Sequence, residues 1–190
     1  MKVGILALQG AVQPHETKFR ELGIETVQVR VAKDLDNLRG IILPGGESSA
    51  IIHLLKLNAL WNPLMEFTAT HATWGICAGA ILLAKKVSNP SQVSLNQIDI
   101  EITRNAYGRQ SESFISDLEP TSHWKKDSPF EGVFIRAPRI NTTGPEVRTL
   151  FSFKSEPVMV EDRHLLVSTF HPELTNSTTV HEYFLNKCQK

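Results

Sequence analysis

A short apolar run that ends in a cysteine between two glycines is the feature that most constrains the fold. The segment reads Gly75-Ile-Cys77-Ala-Gly79, so each glycine lies two residues from Cys77. This spacing is typical of a sharp turn between a strand and a helix, on which enzymes mount nucleophiles. The backbone of such a turn is strained, and residues without a Cβ atom avoid collisions there. The alternative is a buried structural cysteine, because free cysteine is among the most buried residue types.

The first half of the chain alternates short apolar runs with helical patterns. Runs rich in leucine and β-branched residues predict buried strands, and apolar residues at helical spacing predict helices between them. The predicted strands are 2–8, 25–30, 40–43 and 72–76, and the predicted helices are 15–22, 49–60 and 78–86. This alternation predicts a parallel sheet covered by helices, with Gln9, the glycines after residue 43 and Cys77 in one crevice at the carboxyl ends of the strands.

The second half of the chain is richer in strand patterns. The predicted strands are 93–103, 133–136, 157–161 and 165–169, and a helix is predicted at 178–187. We expect this last helix to pack on the sheet. No internal repeat, low-complexity stretch or long linker divides the sequence, so residues 1–190 are predicted to form a single domain.

The composition argues against several classes of function. The chain has 190 residues, of which 41% are hydrophobic, as expected of a soluble globular domain. Its 20 basic and 20 acidic residues are scattered, so the sequence indicates neither a nucleic-acid footprint nor a membrane anchor. Two cysteines do not make a disulfide framework. A reducing compartment is therefore expected, and the predicted localisation is cytoplasmic.

A nucleophilic thiol needs a base, and the base needs a third group that fixes its tautomer. His171 follows the apolar run 165–169 and precedes Glu173 by two residues, which share a face in extended backbone. Taken alone, His171 is better explained as a strand-end histidine with a chance acidic neighbour. A metal site lacks a convincing third ligand. The remaining histidines have no comparable neighbour and are assigned no role: His15, His53, His71, His123, His164 and His181.

Cysteine acyl chemistry also needs hydrogen-bond donors for the oxyanion of the tetrahedral intermediate. The loop 44–49, Pro-Gly-Gly-Glu-Ser-Ser, closes a predicted strand and opens a predicted helix. Its backbone N–H groups can converge on a negative oxygen, because glycine lets the peptides turn freely. A phosphate-binding loop is less well supported, since no Gly-Lys-Ser/Thr follows. A plain turn is the other alternative.

The cysteine turn and five further motifs together resemble a known family. In chain order the five are Leu-Ala-Leu-Gln-Gly-Ala-Val at 6–12, Leu-Pro-Gly-Gly-Glu-Ser-Ser at 43–49, Arg-Asn-Ala-Tyr-Gly-Arg-Gln at 104–110, Val-Phe-Ile-Arg-Ala-Pro at 133–138 and Phe-His-Pro-Glu-Leu-Thr at 170–175. The set is similar to the class I, triad-type glutamine amidotransferases. More narrowly, it resembles the glutaminase subunit of pyridoxal 5'-phosphate synthase, the Pdx2/PdxT family.

The resemblance implies a fold, a reaction and a partner. The fold is a flavodoxin-like, three-layer α/β sandwich of the class I glutamine amidotransferase type, with a mostly parallel central sheet and a β-rich second half. The reaction is hydrolysis of L-glutamine to L-glutamate and ammonia through a thioester, and both the hydrolase and the lyase class are implied. The partner is a (β/α)8-barrel synthase subunit of the Pdx1/PdxS type, which receives the ammonia in a large heteromeric complex for vitamin B6 biosynthesis. No cofactor and no metal are implied.

The resemblance also assigns roles to individual positions. Cys77 is implied as the nucleophile, His171 as the proton shuttle and Glu173 as the group that orients His171. The implied positions of the glutamine pocket and oxyanion loop are Gly45, Gly46, Glu47, Ser48, Arg104, Ile135 and Arg136. These types suit the substrate, because a guanidinium pairs with an α-carboxylate and a carboxylate pairs with an ammonium. Gln9 is implied to support the oxyanion loop or to contact the partner.

One position departs from the family pattern, and other functions stay open. Ile76 precedes the cysteine where the family usually has threonine, so a hydroxyl is absent there.

The first alternative function is that of a class I glutaminase that serves another biosynthetic synthase. The second is an intracellular cysteine hydrolase of related fold, and the third is a non-catalytic domain that retains the fold. Ammonia release from glutamine and the identity of the recovered synthase discriminate between these functions.

Overall fold

The elements alternate along the first half of the chain as the sequence predicts. The structure is a computed structural model, and it describes residues 1–104, 113–124 and 130–189. Its helices are α1 (Val12–Glu21), α2 (Ser48–Leu57), α3 (Trp61–Thr70), α4 (Ala78–Leu83) and α5 (Thr179–Cys188), with 3-10 turns at Ala32–Leu35 and Pro172–Leu174. Its strands are β1 (Lys2–Leu6), β2 (Glu25–Val29), β3 (Gly40–Leu43), β4 (Ala72–Ile76), β5 (Ala84–Ser88), β6 (Ile98–Thr103), β7 (Phe114–Pro120), β8 (Phe130–Phe134), β9 (Arg139–Thr143), β10 (Arg148–Phe153), β11 (Glu156–Asp162) and β12 (Leu165–Ser168).

Two sheets organise the described residues. The larger sheet has nine strands in the order β2-β1-β3-β4-β12-β11-β10-β7-β8, and the smaller sheet has the order β5-β6-β9. Strands β2, β1, β3, β4 and β12 pair in parallel. From β12 to β8 the pairing is antiparallel, and this part holds most of the β-rich second half. The parallel part is the half that brings strand carboxyl ends together at one edge.

Side chains that alternate along the strands fill an apolar layer on each face of the large sheet. Leu43 on β3 faces the layer that contains Leu82 and the other buried residues of α2, α3 and α4. Ile42, its neighbour in the sequence, faces the opposite layer, which contains Phe19 of α1 and the buried residues of α5. The helices thus cover both faces, and the three layers are those of the predicted α/β sandwich.

Several predicted boundaries in the middle of the chain are wrong. The helix predicted at 78–86 ends at Leu83, and β5 begins at the next residue, Ala84. The strand predicted at 93–103 begins only at Ile98. The segment before Ile98 instead terminates α4, because the N–H groups of Leu95 and Gln97 donate to the carbonyl oxygens of Leu82 and Leu83 at 2.7 and 2.9 Å. The strand predicted at 133–136 corresponds to β8, which ends at 134. Helix α3 and strands β5, β7, β9 and β10 were not predicted.

Candidate active site

Cys77 lies at the turn between β4 and α4, with its backbone in the left-handed region. Its φ is 50° and its ψ is −99°, which is costly for a residue that has a Cβ atom. The turn is tied to the neighbouring strand because the Cys77 N–H donates to the carbonyl oxygen of Ser168 at 2.9 Å. The Cys77 side chain is only 8% exposed. The predicted strand-to-helix turn is therefore present, and it holds the thiol in a sheltered position.

His171 follows β12, the strand that pairs with β4, and it contacts the predicted carboxylate. Its Nδ1 lies 2.7 Å from Oε1 of Glu173. The extended backbone predicted for this segment is wrong, since Pro172–Leu174 form a 3-10 turn. Proline is tolerated there because the first residue of a helical turn needs no N–H donor. This turn, rather than the alternation of a strand, brings the carboxylate to the imidazole.

The surroundings of His171 and Glu173 determine the charges of these two side chains. Burial alone would lower the pKa of His171, but hydrogen bonds with Cys77 and Glu173 raise it to about 10. Burial alone would raise the pKa of the Glu173 carboxyl, but the hydrogen bond from His171 lowers it. The anionic carboxylate therefore accepts the Nδ1–H of His171, and Nε2 of the same ring is left for the Cys77 thiol.

The glycine loop after β3 packs closely against His171 and against the end of β1. A Cβ atom on Gly45 would lie 3.2 Å from Nδ1 of His171 and closer still to Cε1. A Cβ atom on Gly46 would collide with the side-chain amide of Gln9. Oε1 of that amide accepts a hydrogen bond from the Glu47 N–H at 2.9 Å. Both glycines are thus required by close approach, and Gln9 holds the loop from behind.

A cleft opens at the thiol, and most of its lining was predicted. It is lined by Gly46, Glu47, Ser48, Cys77, Ala78, Ile81, Arg104, Ile135 and Arg136. Sequence reasoning missed Ala78 and Ile81, although their spacing of three residues places them on one face of α4. Gly45, Gln9, His171 and Glu173 lie outside this lining. The rest of the predicted stretch 104–110, from 105 onwards, lies outside the described residues.

Opposite charges meet in this cleft. Nη2 of Arg104 lies 3.2 Å from Oε1 of Glu47, and the same oxygen accepts hydrogen bonds from the N–H and hydroxyl of Ser49. Burial alone would raise the pKa of the Glu47 carboxyl, but the Ser49 hydrogen bonds and the charges of Arg104 and Arg136 lower it. The cleft therefore presents one carboxylate and two guanidinium groups near a buried thiol.

Ile76, the departure from the family pattern, does not face the cleft. Its side chain is fully buried in the apolar layer of α1 and α5. A hydroxyl at this position would need a hydrogen-bond partner inside that layer. The isoleucine thus fills apolar space on the face of the sheet that α1 and α5 cover.

The described part of the chain has neither a metal-binding cluster nor a helix suited to a membrane. Within residues 1–104, 113–124 and 130–189, no three His, Cys, Asp or Glu side chains are arranged to hold a metal ion. None of the described helices combines the length and the apolar character needed to cross a membrane.

Comparison with known protein families shows which family has this sequence pattern. The model of the SNO glutamine amidotransferase family matches residues 5–190. The chain belongs to this family. The match thus covers nearly the whole chain, from the first strand to the last helix.

Curated relatives of this SNO-family amidotransferase are similar over their full length. Proteins named "Pyridoxal 5'-phosphate synthase subunit PdxT" are 44% identical in Solibacter usitatus, with 98% of each chain covered, and 45% identical in Dictyoglomus turgidum, with 100% of each covered. The protein of that name in Deinococcus radiodurans is 45% identical, with 97% of this chain and 96% of the relative covered.

Solved structures confirm the predicted fold class of this amidotransferase. A crystal structure of a glutamine amidotransferase has a TM-score of 0.90 at 39% identity, with 99% of each chain covered. A second glutamine amidotransferase, from Thermotoga maritima, has a TM-score of 0.61 at 16% identity, with 99% of this chain and 83% of that chain covered. At so low an identity, this second likeness concerns the fold alone.

The expected lyase class is wrong for this amidotransferase. The matched family is one of glutamine amidotransferases, and the relatives are named as subunits of a synthase. The expected hydrolase class agrees with that family, because an amidotransferase of this kind cleaves an amide with water.

We expect the amidotransferase to be most stable near neutral pH. His15 and His181 are fully buried, and burial lowers their pKa values to about 4 and about 2. Below about pH 6.5 these two histidines become protonated in the unfolded chain but stay neutral in the folded chain. The free energy of unfolding therefore decreases as the pH falls, and the slope contributed by each histidine approaches about 1.4 kcal/mol per pH unit. Above about pH 6.5 the folded chain keeps a proton on His171 that the unfolded chain releases, so stability also falls toward pH 10.

Urea unfolding followed by circular dichroism between pH 5 and pH 9 measures this dependence. The variant His53→Asn is the control, because His53 is exposed on α2 and should leave the profile unchanged. A free energy of unfolding that stays constant between pH 7 and pH 5 would contradict the expectation of two neutral buried histidines.

Proposed function

We propose that this chain is the glutaminase subunit of a pyridoxal 5'-phosphate synthase. In this role it hydrolyses L-glutamine to L-glutamate and ammonia, and it passes the ammonia to a barrel subunit of the Pdx1/PdxS type. The proposal rests mainly on a buried Cys77, His171 and Glu173 set at a cleft with one carboxylate and two guanidinium groups. The names of the full-length relatives support the choice of synthase.

The charges of the cleft suit the amino acid end of glutamine. The α-ammonium group pairs with Glu47, and the α-carboxylate pairs with Arg104 and Arg136. Both ends of the zwitterion are then held, and the side-chain amide points to Cys77. An ordinary peptide substrate lacks this pair of charges on one residue. The cleft therefore favours a free amino acid over an internal peptide segment.

Acylation uses the three buried side chains in sequence. His171, whose pKa is raised, holds the Cys77 proton at Nε2, and the resulting thiolate Sγ attacks the amide carbon of glutamine. Glu173 stabilises the imidazolium through Nδ1–H and keeps the ring oriented. The tetrahedral intermediate then breaks its C–N bond, and the nitrogen takes the proton from His171 and leaves as ammonia. A thioester on Cys77 remains.

Deacylation returns the site to its starting state. Water attacks the thioester carbon while Nε2 of His171 accepts a proton from the water. The C–S bond breaks, His171 keeps the proton beside the Cys77 sulfur, and glutamate is released. Proton transfer in both halves of the reaction thus uses the same imidazole, so Glu173 contributes to both.

The oxyanion donors belong to the glycine loop in this proposal. The Glu47 N–H already donates to Gln9, so in this arrangement it does not serve the oxyanion. We infer that docking of the barrel subunit changes the loop from this arrangement to one that donates to the oxyanion. The isolated chain is then a weak glutaminase, and the complex is a strong one.

We expect the barrel subunit to raise the rate of ammonia release from glutamine roughly 100-fold, the value of one oxyanion donor. A glutamate dehydrogenase assay measures ammonia with and without a purified barrel subunit of the Pdx1/PdxS type. Equal rates in both samples would contradict activation by docking. Peptide cleavage without ammonia release, or activation only by a different synthase, would overturn the proposed function.

Matched variants test whether the charged residues of the cleft recognise glutamine. Arg104→Ala should raise KM for glutamine at least about 10-fold, because a charge-assisted hydrogen bond is lost. Lys86→Ala is the control, since Lys86 lies on β5 outside the lining of the cleft and its side chain is mostly exposed. An unchanged KM in Arg104→Ala would remove the substrate-binding role of this arginine.

The proposed compartment is the cytoplasm. Cys77 and Cys188 are both free, and free thiols persist where the environment is reducing. An unmodified thiol at Cys77 is also what the proposed chemistry requires.

A further inference from the structure

A second pair of buried histidines lies directly behind Glu173. His15 on α1 and His181 on α5 are fully buried, and Nδ1 of His15 lies 3.0 Å from Nε2 of His181. On the other side of the same ring, Nε2 of His15 lies 3.7 Å from Oε2 of Glu173. His181, His15, Glu173 and His171 therefore form a row of buried polar side chains that leads from the core to the thiol.

The atoms that face each other in this row have no competing partner. Within the described residues, neither Nε2 of His15 nor Oε2 of Glu173 makes a hydrogen bond. The other carboxylate oxygen, Oε1, is bound to His171. A separation of 3.7 Å is longer than a hydrogen bond, but hydrogen bonds of catalytic groups are often long before substrate binds and then shorten.

The chemistry of these groups fixes where the protons are. An ionised carboxylate only accepts hydrogen bonds, so Nε2 of His15 must carry a proton to interact favourably with Glu173. In a neutral imidazole the other nitrogen is then an acceptor, so Nδ1 of His15 accepts a hydrogen bond from Nε2–H of His181. The row thus has one consistent direction, in which each member donates toward the carboxylate.

The surroundings of His15 keep it neutral. Burial lowers its pKa to about 4, although Glu173 acts in the opposite direction. The charged and titratable groups that act on the two core histidines are Glu173, His171 and Lys18. The aromatic ring of Trp74 packs against both imidazoles, and that of Phe19 packs against His181. His15 is therefore a neutral N–H donor at physiological pH.

We propose that His15 is a positioning residue for glutamine hydrolysis, which donates through Nε2–H to Oε2 of Glu173 and so keeps Oε1 aligned on His171. His181 sets the tautomer of His15 through their shared hydrogen bond. This inference rests on the proposed function for its role in catalysis. The contacts that carry it are independent of any substrate.

A neutral donor suits this position better than a cation. A positively charged His15 would pair with Glu173 and weaken the support that the carboxylate gives to the imidazolium of His171. An apolar residue would leave Oε2 buried without a donor. A neutral imidazole orients the carboxylate without cancelling its charge, and that is the property the experiment must isolate.

Two amide variants of His15 separate donation to Glu173 from filling of the core. His15→Gln places an amide N–H near the position of Nε2, so it keeps a donor for Glu173. His15→Asn reaches only the position of Nδ1, so it keeps a partner for His181 and loses the donor. We expect kcat for glutamine to fall roughly 10-fold to 100-fold in His15→Asn and by less than about 3-fold in His15→Gln, with KM unchanged in both.

The pH profile gives a signature that loss of packing would not produce. Without its donor the charged form of Glu173 is less favoured, so the pKa of that carboxyl rises in His15→Asn. The acid limb of kcat/KM should therefore move to higher pH in His15→Asn and return toward the wild-type position in His15→Gln. Phe19→Leu is the control for packing, because Phe19 contacts His181 in the same core and donates nothing.

A spectroscopic readout keeps this inference distinct from the proposed function. The proton between Nδ1 of His171 and Oε1 of Glu173 gives a far-downfield ¹H NMR signal, which should weaken or shift in His15→Asn and persist in His15→Gln and Phe19→Leu. If wild type releases no ammonia but the signal behaves in this way, the proposed function fails, and only the alignment of Glu173 on His171 by His15 stands. If the Asn and Gln variants match each other in this signal and in the pH profile, the positioning role is wrong.

Discussion

Replacing Cys77 with alanine is expected to lower ammonia release from glutamine by at least about 10⁴-fold, because no other group supplies the nucleophile. Binding of the synthase partner should survive the change. Alanine has the same Cβ atom as cysteine, so it occupies the left-handed turn at equal strain, and the side chain is only 8% exposed. Ammonia assays and circular dichroism on the same preparation separate lost chemistry from lost folding.

The second cysteine provides the matched control for this variant. Cys188 is buried on α5, outside the lining of the cleft, and burial raises the pKa of its thiol to about 12. Cys188→Ala should therefore release ammonia at the wild-type rate per folded molecule. Substantial turnover by Cys77→Ala, or loss of turnover in Cys188→Ala with an intact fold, would refute Cys77 as the nucleophile.

Replacing Gly79 with alanine is expected to lower the free energy of unfolding by about 3 kcal/mol or more. The new Cβ atom would lie 2.7 Å from the carbonyl carbon of Leu43 and 2.9 Å from its Cβ, and closer still to the carbonyl oxygen. These atoms belong to β3, so α4 must move away from the sheet to relieve the clash. That movement also displaces Cys77, and we expect activity to fall together with stability. Urea unfolding measures the loss.

Gly23→Ala distinguishes this steric effect from backbone strain. Gly23 has a φ of 70°, and a Cβ atom there would meet nothing within 4 Å. Its replacement should therefore cost only the strain of a left-handed residue, about 1–2 kcal/mol. Within a helix, alanine is intrinsically favoured over glycine, so propensity cannot account for a loss at Gly79. Equal losses in the two variants would show that close packing of α4 on β3 is not the cause.

Local sequence patterns were sufficient to predict the strands of the parallel half of the sheet and the turn at Cys77. Strands there are buried on both faces, so their apolar runs are continuous and end at glycines. The pattern was weaker in the antiparallel half. Strand β9 is mostly exposed, and β10 has a register shift beside Phe151, which interrupts simple alternation. These strands are specified by their neighbours more than by their own residues.

The predicted triad was proposed from two short motifs, 75–79 and 170–175, but the side chains that support it were not predicted. Cys77, His171 and Glu173 stand in segments whose residue types are unusual enough to stand out locally. His15 and His181 had no comparable neighbour along the chain, because the hydrogen bond between them joins residues 166 positions apart. Helical or strand periodicity carries no information about such pairs.

The chain order of residue types was enough to predict the α/β layers, the strand-to-helix turn and the family resemblance, since each follows from local residue types and their spacing. The tertiary structure alone decided two other points: the 3-10 turn that brings Glu173 to His171, and the row of histidines behind Glu173. The physical reason is that burial and hydrogen-bond partners are set by which elements pack together, and packing joins side chains that the sequence keeps far apart.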